Sequence, residues 1–174
     1  MKKELTRRSF LKLAGAGALA VAMSGSLTGC DVIDNLKDMD SVSAAIGDVK
    51  FMMSASAWTN GVGGQENDVT YQPTCEIRNN SKKAVTYGGI GSNCEVIITG
   101  VLTDKNGKEY PMTYVGENGS APAGEKYEVK DFKLVAVGKG LYMEGCKVVT
   151  TFAYNGKKAV FTDCDGGDFT SKVE

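Results

Sequence analysis

The side chains whose spacing most suggests chemistry in this chain are thiols and carboxylates, and its 174 residues include no histidine. The commonest general base and metal ligand is therefore missing, and neither a Ser-His-Asp nor a Cys-His site can be assembled within the chain. Two groups remain. Asp163, Asp165 and Asp168 crowd three carboxylates around Cys164 and the turn residues Gly166 and Gly167, hard oxygen ligands of the kind that hold calcium. Their spacing departs from the Asp-x-Asp-x-Asp-Gly loop, and no bidentate Glu follows at the proper distance. A solvated acidic turn is the stronger of the two readings. The second group is the five cysteines, Cys30, Cys75, Cys94, Cys146 and Cys164. No Cys-x-x-Cys pair exists, and without histidine a zinc site would need four separate thiolates. Gly61-Val62-Gly63-Gly64 is not followed by a Lys-Ser/Thr pair and reads as a connector instead of a phosphate loop. Trp58 and Tyr142 are large aromatics beside loops, a common binding-residue type. The plainer alternative is that Trp58 covers a sheet edge and Tyr142 packs a loop. No catalytic residue and no cofactor is expected.

The first thirty residues explain one of the cysteines. Lys2, Lys3, Arg7, Arg8 and Lys12 form a positive start opposed only by Glu4, and Leu13 to Met23 is uncharged but rich in Ala and Gly. An apolar run this short falls below the roughly 20 residues a spanning helix needs, and the pattern is that of a removable export signal. Thr6-Arg7-Arg8-Ser9-Phe10-Leu11-Lys12 resembles the twin-arginine translocation motif over its whole length. That resemblance implies the export machinery as a partner and export of an already folded domain. Leu27-Thr28-Gly29-Cys30 is similar to a bacterial lipobox. The likeness implies cleavage before Cys30, acylation of its thiol and amine, and lipid anchoring at the cell membrane. Two or three acyl chains hold firmly, since each buried methylene contributes about 0.8 kcal/mol.

Cleavage would leave residues 30–174 with 15 Lys+Arg against 20 Asp+Glu, a net charge of −5. A mildly acidic chain of this size suits one domain and is a poor nucleic-acid binder. The four remaining cysteines, an even number in an exported domain, are expected to form two disulfides.

Beyond a polar tether over residues 30–47, periodicity two dominates. Strands are expected at Val49–Ala57, Val69–Asn79 (with Pro73 marking an edge or bulge), Ala84–Tyr87, Cys94–Thr103, Lys108–Val115, Tyr127–Val137, Cys146–Tyr154 and Lys158–Cys164. A glycine-rich loop is expected over Trp58–Asp68, a bulge between Val129 and Phe132, and hairpin turns at Asp104-Lys105-Asn106-Gly107 and Asn155-Gly156. Residues 165–174 read as a tail. The sum is an all-β chain: residues 1–29 a signal, and 48–164 an antiparallel sandwich of about seven or eight strands.

Three stretches resemble bacterial Ig-like lipoprotein domains of the FxLYD, CARDB and telokin-like kinds. These are Cys75-Glu76-Ile77-Arg78-Asn79-Asn80-Ser81-Lys82-Lys83-Ala84-Val85, Val101-Leu102-Thr103-Asp104-Lys105-Asn106-Gly107-Lys108, and Pro122-Ala123-Gly124-Glu125 followed by Phe132. The Ig-like order this implies would set Cys75 and Cys94 at one end and Cys146 and Cys164 at the other, hence pairs Cys75–Cys94 and Cys146–Cys164. A Cys75–Cys146 bridge between the sheets is the alternative. A two-residue Asn155-Gly156 turn would put Cys146 and Cys164 on opposite faces unless a bulge intervened. The resemblance supplies no catalytic residues. The reading is a membrane-anchored, non-catalytic binding or structural module of the cell envelope, with an unidentified envelope protein or glycan as its ligand. The alternatives are a calcium-dependent adhesion or solute-binding protein and a carboxylate-based glycan hydrolase.

Overall fold

Alternation of apolar and polar side chains, the pattern of a strand with one buried face, governs most elements of the computed structural model, which describes residues 41–60 and 68–174. Arg7, Arg8 and Cys30 lie outside the described residues, as do residues 61–67 of the expected glycine-rich loop. Twelve strands follow in order: β1 (Val42–Ile46), β2 (Val49–Asn60), β3 (Asp68–Asn79), β4 (Val85–Gly89), β5 (Val96–Thr103), β6 (Glu109–Tyr114), β7 (Gly119–Ala121), β8 (Glu125–Val129), β9 (Leu134–Val137), β10 (Lys147–Tyr154), β11 (Lys157–Cys164) and β12 (Phe169–Val173).

They pair along the path β1-β2-β3-β9-β6-β5-β10-β11-β12, with β8 on β3, β4 on β5 and β7 on β4. One layer holds β1, β2, β3, β8 and β9. The other holds β4, β5, β7, β10, β11 and β12. Strand β6 belongs to both, pairing with β5 through Glu109–Met112 and with β9 through Thr113 and Tyr114. At the far seam Ser171 Oγ of β12 donates to Ser43 O of β1 at 2.8 Å. The result is an all-β sandwich, barrel-like at its β6 crossing.

Four expectations are corrected. Among the described residues the strands number twelve, because β1 and β12 extend the sandwich into residues read as tether and tail, and β7 is a short addition. The β4–β5 pair is parallel, so the sheet is not wholly antiparallel. The expected long strand over Tyr127–Val137 is two strands, broken where Asp131 takes a φ of 51°. The glycine-rich loop begins later than expected, since Trp58, Thr59 and Asn60 remain in β2.

Pro73 sits where a residue without an N–H does least harm. On one side of β3, Tyr71 pairs with β9 and Cys75 pairs with β8, leaving Pro73 in the gap between them. On the other side the β2 register shifts between Ser54 and Ser56, opposite this same point. The β10–β11 hairpin has no such shift. Tyr154 pairs with Lys157 across Asn155 (φ 48°) and Gly156 (φ 74°), both left-handed, as a two-residue hairpin turn requires.

Between the layers the core is a chain of rings. Phe152 of β10 stacks on Phe51 of β2 with centroids 4.9 Å apart, meets Phe161 edge-on at 5.5 Å, and lies 6.1 Å from Phe132. Gly100 makes room nearby: a Cβ there would fall 2.8 Å from Leu134 Cδ1. Two buried polar groups are matched by partners. Asn79 donates through Nδ2 to Lys83 O (2.8 Å) and Ala121 O (3.0 Å), while its Oδ1 accepts from Ser81 N at 3.0 Å. Tyr71 OH of β3 donates to Asp163 Oδ2 of β11 at 3.0 Å, joining the layers.

Because Phe152 touches rings from both layers, Phe152→Ala should cost about 3–5 kcal/mol in urea unfolding and Phe152→Leu roughly 1 kcal/mol. Equal losses for the two would show that the ring is not the contact joining the layers.

Candidate functional site

The strand ends at Asn60, Thr103 and Cys164 bring three connections together at one end of the sandwich. These are the Asp104–Lys108 turn, the 138–146 loop and the residues after β11. Between them lies a cleft of about 550 Å³, lined by Asn60, Asp104, Asn106, Tyr142, Glu144 and Asp165 among others.

Each wall is held by its own hydrogen bonds. Asp104 Oδ1 accepts from Asn106 N (2.8 Å) and Lys108 N (2.9 Å), and Gly107 N donates to Asp104 O (3.0 Å). The Lys108 amide holds the Asp104 carboxyl below the usual carboxylate range, against desolvation and with help from the Asn106 amide. In the 138–146 loop, Leu141 N donates to Gly138 O (3.0 Å) and Cys146 N to Met143 O (3.1 Å). Met143 N donates to Asn60 Oδ1 (3.1 Å), and Gly145 N to Asp165 Oδ2 (2.9 Å). The Cys146 thiol donates to Tyr142 O at 2.9 Å. Burial pushes that thiol up from its ordinary value, and the carboxylates of Asp104 and Asp165 push it further, so it remains a donor.

On this frame the two candidate aromatics part company. Trp58 meets Tyr71 edge-on at 5.0 Å and is half-buried, so it covers the core. Tyr142 is 65% exposed and lines the cleft, between buried Leu141 and half-buried Met143.

The three expected calcium carboxylates do not converge. Asp163 shares the inward face of β11 with Ala159 and Phe161 and is buried against Tyr71. Asp165 turns to Gly145, and Asp168 is exposed on the turn. Among the described residues, no group of three or more His, Cys, Asp or Glu could hold a metal ion.

The expected disulfides are absent as well: Cys75, Cys94, Cys146 and Cys164 are free thiols. Strand alternation explains the second pair. Cys164 lies opposite Lys147 in unbroken register, while Asp165 N bonds Cys146 O at 2.9 Å, so the two sulfurs project to opposite faces. Cys75 points into the core from β3, and burial, reinforced by Glu76, drives its pKa far above the ordinary thiol value. Cys94 is only half-buried, ahead of β5 in the other layer.

Asn60, Asp104, Asn106 and Glu144 escaped the sequence reading as site residues. Asp104 and Asn106 were legible as turn residues, and residues 138–145 as the gap between two expected strands. Nothing local showed that a β5–β6 turn would face a β9–β10 loop.

With this geometry in view, known proteins add one firm statement. A family model described as the TAT (twin-arginine translocation) pathway signal sequence matches residues 4–24. The chain therefore carries a twin-arginine signal and is exported across the cytoplasmic membrane. No curated protein matches the chain. The crystal structure of Bacteroides uniformis beta-glucuronidase is similar over 77% of this chain and 14% of that one, at 12% identity and a TM-score of 0.33. So distant a likeness carries no argument about activity.

Two outcomes are expected. The Asp104 carboxyl is lowered on folding, so its contribution is present above the unfolded value of about 3.9 and is lost as pH falls through the lower folded value. The amide shifts of Asn106 and Lys108 should titrate together with a midpoint below that unfolded value; a midpoint at or above it would contradict the turn geometry. Iodoacetamide should modify Cys94 and Cys164 in the native protein and reach Cys75 only in denaturant. A bridged peptide containing Cys75 or Cys146 in the mass spectrum would contradict that outcome.

Proposed function

We propose that residues 30–174 form a lipid-anchored, non-catalytic module of the bacterial cell envelope. Acyl chains on Cys30 hold it to the outer face of the cytoplasmic membrane, and its 138–146 end meets a ligand. The observation that carries this reading is Leu27-Thr28-Gly29-Cys30 placed directly after a twin-arginine signal. Eleven residues, 31–41, separate Cys30 from Val42. Even fully extended they reach only roughly 40 Å, which keeps the sandwich close to the bilayer. The Ig-like resemblance of the Cys75–Val85 and Val101–Lys108 stretches fits a module of this kind.

The cleft favours binding over hydrolysis. A glycan hydrolase needs one carboxyl with a raised pKa facing a second carboxylate. Here Asp104 is shifted the other way, and both Asp104 and Asp165 spend an oxygen on backbone amides of the surrounding loops.

Membrane fractionation of the full chain tests the anchor. Wild-type protein should stay with membranes through carbonate washing. Cys30→Ala should either appear in the soluble extracytoplasmic fraction or persist as uncleaved precursor. A Cys30→Ala protein that is cleaved normally and still held as tightly as the parent would overturn the proposal.

A further inference from the structure

The cleft beside Tyr142 is specific enough in its chemistry to name a class of ligand. We infer that it binds a short saccharide that is neutral or amino-substituted. This rests on the reading above that the 138–146 end is the binding end.

Three observations carry it. The first is Tyr142 itself. Its ring is 65% exposed and makes no ring contact among the described residues, although its carbonyl is pinned by the Cys146 thiol. A ring held out at the wall of a cleft is a platform for the apolar face of a flat ligand, and its hydroxyl serves the polar edge. The second is the polar complement. Asn60, Asn106, Asp104, Glu144 and Asp165 surround the cleft, a mixture of amides and carboxylates that suits several hydroxyl donors and acceptors spread around a ring. Among the described residues, Asp104 Oδ2 and Asp165 Oδ1 carry no hydrogen bond, while their partner oxygens fix the carboxylates in place. Because the loops are already tied down, little ordering cost attends binding. The third is charge. Among the described residues, three carboxylates and one cation, Lys105, line the cleft, which opposes uronic acids, phosphates and nucleic acid and tolerates an amino group.

An extended peptide fits less well. Peptides dock on β folds mainly by pairing with the free backbone of a sheet edge. The walls here are turns, and the amides of Asn106, Gly107, Leu141, Met143, Gly145 and Cys146 are already bonded within the end itself. What faces the cleft is side chains. The volume of about 550 Å³ is that of a small-ligand site.

The test is titration calorimetry on the mature acylated protein in a detergent without a sugar headgroup. The probes are cellotriose, chitotriose, a glucosamine trimer and trigalacturonate. Binding of at least one of the first three is expected, and none of the acidic trimer. Tyr142→Ala should weaken that binding about tenfold or more, while Tyr142→Phe stays within about threefold. The ring is exposed, so both variants should unfold at the wild-type denaturant midpoint. Silence with all four probes, equal binding of trigalacturonate, or unchanged affinity in Tyr142→Ala would each overturn the inference. A photocrosslinking residue at position 142, used in native membranes, separates the two levels. Capture of one reproducible protein without saccharide binding would sink the saccharide and leave the binding end standing. Neither saccharide binding nor capture would retire both.

Discussion

The ring of Phe152 is the contact on which the rest of the domain depends. It lies on β10, in the middle of one layer, and stacks on Phe51 of β2 in the other at 4.9 Å. Away from the β6 crossing the layers face one another without strand pairing, so side-chain burial must supply most of their cohesion. Phe132 and Phe161 pack against the same ring, and Tyr114 meets Phe132 edge-on at 5.4 Å. The row therefore runs from the β10–β11 hairpin to β6, the strand that crosses between layers. Once the row is in place the registers have little freedom, because a slip of one residue would turn each ring to solvent.

Polar groups then secure the two ends that the rings do not reach. At one end Asn79 satisfies three backbone groups from the following turn and from β7. Towards the other, Tyr71 and Asp163 bridge the layers. Such groups destabilise a core unless matched, and matched they select one arrangement of layers over others. The thiols belong to the same logic. Cys75 is packed in the core and Cys146 is engaged with Tyr142 O. The even cysteine count pointed to bridges, but strand parity and burial keep these thiols apart.

What could be read along the chain was whatever one buried face imposes locally. Strands β3, β5, β10 and β11 follow their alternation, and Asp104–Gly107 and Asn155-Gly156 turn where their residues demand. Strands β1 and β12 were hidden because few of their side chains face inward: Ala44 and Ile46 in one, and a half-buried Phe169 in the other. The phase shift near Phe132 was visible, but whether it meant a bulge or a break depended on β3 having two partners on one edge. Asp163 is the instructive error. Its parity with Ala159 and Phe161 already placed it inward, yet its neighbours Asp165 and Asp168 drew it into an acidic turn. The partner that makes an inward carboxylate tolerable, Tyr71, is 92 residues away. The cleft was illegible for the same reason, since its walls are joined by strand order and not by sequence proximity.

The two ends of the sandwich differ in what their polar groups leave over. Around Asn79 the side-chain amide is spent on backbone, and β7 and the 80–84 turn close over it. Around Tyr142 the bonds run the other way. Backbone amides of the loops are satisfied by one oxygen each from Asn60, Asp104 and Asp165, while among the described residues the second carboxylate oxygens carry no hydrogen bond and Tyr142 stays exposed. Tyr142 is one of several large hydrophobic side chains left exposed, with Ile90, Val115 and Val137, but among these it is the one that lines the cleft. The loop that carries it is fixed at Tyr142 O by the Cys146 thiol, at Met143 N by Asn60 and at Gly145 N by Asp165. The asymmetry puts rigidity and free hydrogen-bonding capacity at the same end, the combination that the proposed saccharide site would use.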